Sequence, residues 1–98
     1  MYQIVAHVKP KKDSKYYKNV LGAYVTCFIN YKEIDGAVVL TKHYIENEGW
    51  EEIELEDEYF IINSIEDMVD CYKQYYKEVF EYGYSLIFNT YNKIEEDD

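Results

Sequence analysis

Carboxylates are the one reactive group that this chain concentrates. Between residues 46 and 58 lie eight acids in thirteen positions: Glu46, Glu48, Glu51, Glu52, Glu54, Glu56, Asp57 and Glu58. On a strand, Glu52, Glu54 and Glu56 project to one side at intervals of ~7 Å. That is close to the separation of successive phosphates along one nucleic-acid strand. Such a run could imitate nucleic acid or block the active site of a basic protein. The plainer reading is a solvated face that keeps a tyrosine-rich protein in solution. Glycoside hydrolysis also needs two carboxylates, but in different environments across a cleft. Acids crowded along one exposed run do not meet that need.

Other chemistry has less to work with. His7, His43, Cys27 and Cys71 do not fall at C-x-x-C or H-x-x-x-H spacing, and no calcium-loop pattern occurs. Ser14 lies in a basic stretch, Ser64 suits a helix cap and Ser85 falls in a strand pattern; none sits in G-x-S-x-G. The glycines at 22, 36, 49 and 83 are isolated, so no phosphate-cradling loop is written. Lys9 to Lys18, with Tyr16 and Tyr17 inside it, is the one cationic patch. Lysines among aromatics can track single-stranded nucleic acid, but the overall charge opposes it.

That charge is sorted along the chain. Residues 1 to 32 hold six lysines and one acid; residues 33 to 98 hold four lysines and nineteen acids, for a net −10. Nucleic acid and anionic membrane surfaces are disfavoured as ligands, and the absence of arginine removes the bidentate fork for phosphate. A basic protein or a second copy of the chain is the expected partner, and no cofactor is implied. Tyrosines make up thirteen of eighteen aromatics, which argues for a packed domain over disorder. Two cysteines in apolar surroundings read as small core residues. Met1 is followed by an alternating segment instead of a secretory leader pattern, so the expected compartment is the cytoplasm.

The elements that must position these groups follow from periodicity. Residues 2 to 9 and 22 to 31 alternate as strands, the second apolar on both faces and therefore central. Lys11 to Asn19 reads as a mobile loop. Residues 34 to 48 fit a helix ended by Gly49, although Asp35-Gly36 and Val38-Val39 would also suit a hairpin. Residues 50 to 56 alternate as a strand with one wet face, and 59 to 62 either extend it past a bulge or precede the next helix. Residues 65 to 82 carry a 3.6-residue apolar stripe opened by Ser64 and Asp67 and closed by Gly83. Residues 84 to 91 form the last strand.

The expected architecture is a single α+β domain over residues 1–91 followed by a frayed acidic tail over 92–98. It is a two-layer sandwich, ferredoxin-like in its β-β-α-β-α-β order, with a four-stranded mainly antiparallel sheet and two helices on one face. That fold hosts many functions and transfers none. The uncovered sheet face would present Tyr24, Phe28, Tyr84 and Phe88 for dimerisation or a ligand. The expected function is a non-enzymatic binding module of inhibitor or immunity type, dimeric, whose acidic face (Glu48, Glu51, Glu52, Glu54, Glu56, Asp57, Glu58) engages a basic protein. The alternatives are a small-molecule-binding regulatory domain using the aromatic face, and a metal-assisted hydrolase.

Overall fold

The centre of the sheet is built first in sequence. In the computed structural model, which describes residues 1–92, β1 (Tyr2–Pro10) pairs antiparallel with β2 (Val20–Ile29). Alternation puts Ile4, Ala6 and Val8 on one face, with Ala23, Val25, Cys27 and Ile29 beside them, all buried. Helix α1 (Ile34–Asn47) lies on that face. Its inward positions Ala37, Thr41 and Ile45 recur every fourth residue and are fully buried. The helix reading of 34–48 is the one adopted. Gly49, at φ 96°, takes the left-handed conformation just past the C-cap, and its amide bonds the Glu46 carbonyl at 3.0 Å.

β3 (Trp50–Ile61) adds antiparallel to β1, and β4 (Tyr84–Asn92) adds antiparallel to β2, giving the order β3-β1-β2-β4. β2 and β3 therefore run parallel with β1 between them, a split βαβ unit around α1.

The α+β class and the four-stranded antiparallel sheet are present, but the ferredoxin-like placement of two helices on one face is not. Cys27 points toward α1, where it accepts a hydrogen bond from Thr41 Oγ1 at 3.4 Å. Its neighbour Phe28 points to the opposite face. There it is buried with Ile62, Met68 and Val79, and Tyr72 meets its ring edge-on at 5.6 Å. The segment between β3 and β4 thus covers the second face, and β2 is sandwiched between two layers.

That segment is also not one helix. It comprises a 3₁₀ turn (Ile65–Asp67), a 3₁₀ helix (Asp70–Tyr75) and the short α2 (Tyr76–Tyr82). The capping box expected at Ser64 and Asp67 is present and opens the 3₁₀ turn: Asp67 Oδ2 accepts the backbone N–H groups of Asn63 at 2.8 Å and Ser64 at 3.2 Å. Met68 and Val69 then run with ψ near 140°, which turns Met68 into the Phe28 cluster and leaves Val69 outside. The acidic tail expected from 92 falls outside the described residues, except Asn92, which ends β4.

Candidate functional site: an acidic sheet edge

β3 is an edge strand, and it is bulged twice against β1. Between the pairs Ala6↔Leu55 and Ile4↔Tyr59, the residues Glu56, Asp57 and Glu58 face Val5 alone. Between His7↔Glu54 and Lys9↔Glu51, Glu52 and Ile53 face Val8. Strand 50–56 does continue past a bulge to 61. The alternation expected over 50–56 is kept, with Ile53 and Leu55 half-buried against the core and Glu52, Glu54 and Glu56 exposed between them, while the bulges interrupt the ladder at Glu52 and Ile53 and again from Glu56 to Glu58. Glu54 lies opposite His7, on the face that carries Tyr24 and Phe28. Glu56, Asp57 and Glu58 are exposed where the strand bows outward.

Glu52 sits at φ 50°, the one non-glycine residue with positive φ among those described. A side chain in this region costs ~1–2 kcal/mol, which the flanking ladder must offset. Glu52→Gly is expected to raise stability by about 1 kcal/mol in urea unfolding. An unchanged or lower midpoint would show that the bulge carries no such strain.

The charge sorting seen along the sequence is only partly kept in space. The lysine stretch is not a free loop: its backbone folds in turns against the junction of α1 and β3. The Lys11 amide bonds the Gly49 carbonyl at 3.0 Å, and its ammonium bonds the Glu46 carbonyl at 3.2 Å. The Tyr16 ring stacks on Trp50 at 5.1 Å, and Lys15 lies 5.1 Å above the Tyr16 ring. A groove of about 300 Å³ brings Lys11 and Lys42 beside Glu46, Glu51 and Glu52. A second, of about 290 Å³, sets Lys9 and Lys12 beside Glu51 and Glu52. Those acids sit among cations. Glu54, Glu56, Asp57 and Glu58 line neither groove, and among the described residues none of the acids from Glu46 to Glu58 makes an ion pair, the one bridge being Lys73–Asp70. Glu48 is separate again: it caps α1 and lines a groove against β4.

The four aromatics expected on one open face are divided between two covered ones. Tyr84 stacks on Tyr44 of α1 at 3.7 Å, and Phe88 stacks on Trp50 at 5.4 Å. Phe28 is fully buried on the other face, and Tyr24 alone is largely exposed, at 53%. Tyr24 belongs to a small cluster at the end of that face. Its ring lies 4.9 Å from His7 and 5.8 Å from Tyr91, and His7 Nε2 is hydrogen-bonded to Tyr91 Oη. No spacing in the sequence points to a pair 84 residues apart. Only the register of β1 and β4 around β2 brings them together.

The cysteines differ from each other. Burial pushes the Cys27 thiol up from 9.0 to about 11, with the Thr41 hydrogen bond opposing the shift. Cys71, expected in the core, is exposed because the helix that would have buried it is broken at Met68. An aromatic disulfide reagent should label one thiol in the native protein and two in denaturant; two labelled natively would contradict the burial of Cys27. The neutral Cys27 thiol contributes stability that is whole below pH 9 and lost as pH rises toward 11, since the unfolded chain gives up this proton first. The loss is about 2–3 kcal/mol. Cys27→Ala should flatten the decline in stability from pH 9 to 11 relative to the parent; equal slopes would refute the linkage.

Among the described residues, no three His, Cys, Asp or Glu side chains gather as a metal centre requires, and no helix is long and apolar enough to cross a membrane. No protein-family model, curated protein or solved structure matches this chain.

Proposed function

We propose that this protein is a non-enzymatic binding module whose partner is a basic protein, in the manner of an inhibitor or immunity protein. The observation that carries the reading is the exposed run Glu54, Glu56, Asp57 and Glu58, which makes no ion pair among the described residues and flanks a bulge on a chain of net −10. Such a ridge raises encounter rates with cations and repels anionic competitors. The acids line an outer edge instead of facing one another across a cleft, which suits docking better than acid–base chemistry. The small-molecule reading and the aromatic-face homodimer both relied on an open sheet face, and three of the four residues meant to form it are packed under other elements. The two free thiols suit a reducing, cytoplasmic setting.

The test is capture of partners by the full chain at about 50 mM and again at about 500 mM salt, where the screening length shortens several-fold. The parent should hold a basic protein at low salt and release it at high salt. The variant E54Q/E56Q/D57N/E58Q should fail to hold it at either. Partners retained regardless of ionic strength, or equally by the variant, would end this reading.

A further inference from the structure

The sheet has two free edges, and they are defended unequally. Edge strands present unpaired backbone groups, and proteins guard them with charge, proline or bulges. β3 is guarded by two bulges, a left-handed Glu52 and a run of acids. β4 has no such guard. Its nine residues, Tyr-Ser-Leu-Ile-Phe-Asn-Thr-Tyr-Asn, include no charge and no proline. It pairs with β2 on one side and, among the described residues, with nothing on the other.

A groove of about 470 Å³ runs along this strand at Tyr84, Leu86 and Phe88. Two carboxylates line it, one from each covering layer. Glu48 comes from the end of α1, and Glu78 from α2, where it accepts a 3.4 Å hydrogen bond from Ser85 Oγ. Neighbouring residues of an added strand project to opposite faces. Two adjacent basic side chains would therefore reach both acids, while the backbone completes the ladder. A second copy of this chain fits less well: it brings another −10 and sets its own Glu48 and Glu78 near these.

We infer that the β4 edge accepts an extended segment of the partner as a fifth strand, with lysine or arginine side chains meeting Glu48 on one face and Glu78 on the other. The inference rests on the proposed function only for the sign of the partner's charge.

The probe is a short capped peptide alternating threonine and valine around a central Lys-Lys pair, titrated into the full chain at low salt. Two controls accompany it: the same peptide with alternate backbone nitrogens methylated, and a Glu-Glu version. The Lys-Lys peptide should bind and slow amide exchange over residues 84–92. Backbone methylation should weaken binding at least tenfold, and the double variant E48Q/E78Q about tenfold. Absence of binding, or protection falling on β3, would overturn the inference. So would a free protein that is already a dimer with protected β4 amides. Equal binding of the methylated peptide would overturn it and leave the basic-partner reading standing, since charge alone would then suffice. Equal binding of the Glu-Glu peptide would overturn both.

Discussion

Phe28→Ala is expected to cost about 3–5 kcal/mol and to release residues 65–82 from the sheet before the rest of the molecule unfolds. Phe28 is fully buried and is the centre of the second core, with Ile62, Met68, Val79 and the edge of Tyr72 around it. The elements it holds are a 3₁₀ turn, a 3₁₀ helix and a seven-residue α-helix. None is long enough to persist alone, because helices this short are held by packing and not by propensity. Against a total stability of ~5–15 kcal/mol, the loss lowers Tm by more than about 10 °C. The diagnostic measurement is hydrogen exchange by residue: amides of α2 should lose far more protection than Thr41 or Ile45 of α1. A uniform loss across both layers would show that the two faces are one cooperative core. Phe28→Leu, which retains most of the volume, should cost ~1 kcal/mol and keep the segment docked.

Trp50→Ala should cost a similar ~3–5 kcal/mol with a different local signature. The indole is buried between Tyr16 and Phe88, with interplanar angles of 18° to each ring. It spans the first core, where Ala6 and Ala23 in the same cluster leave it room. Removing it takes away the surface on which Tyr16 rests, and with it the anchor of the lysine stretch. Trypsin should then cut after Lys12, Lys15 and Lys18 much faster than in the parent, at temperatures where circular dichroism still reports a folded protein. Trp50→Phe should restore most of the resistance. Resistance in both variants would mean that the backbone bonds of Lys11 and Val20 hold the stretch without the ring stack.

What could be read in advance depended on whether the deciding contact was local. The strands and α1 announced themselves because alternation and the Gly49 stop are properties of neighbouring residues. The apolar character of both faces of β2 was also visible. Its meaning, a covering layer on each side, is not legible there, because helix order along the chain does not say which face each helix takes. The break at Met68 does not show in the chain because Ile65, Met68, Val69 and Tyr72 keep helical spacing behind a capping box at Ser64 and Asp67; what sets Met68 apart is its burial against Phe28, a contact remote in sequence. The acids were legible as a group but not as a shape. Two bulges set by pairing with β1 decide where the strand is interrupted, and the folding of the lysine stretch beside Glu46, Glu51 and Glu52 mixes the two charges at one end of it.

The position of β1 and β2 at the middle of the sheet has a consequence during synthesis. A growing chain emerges from its N-terminus, so the hairpin ending at Ile29 can close before either flanking strand exists. Hairpin closure takes microseconds, whereas translation adds each residue in about 0.05–0.2 s. Making the residues from 30 to 92 takes several seconds, and the ribbon begins that interval with both sides and both apolar faces bare. α1 arrives first and shields one face; the other waits until Val79 emerges. The nascent protein's period of greatest danger from aggregation is thus written into the order of its strands.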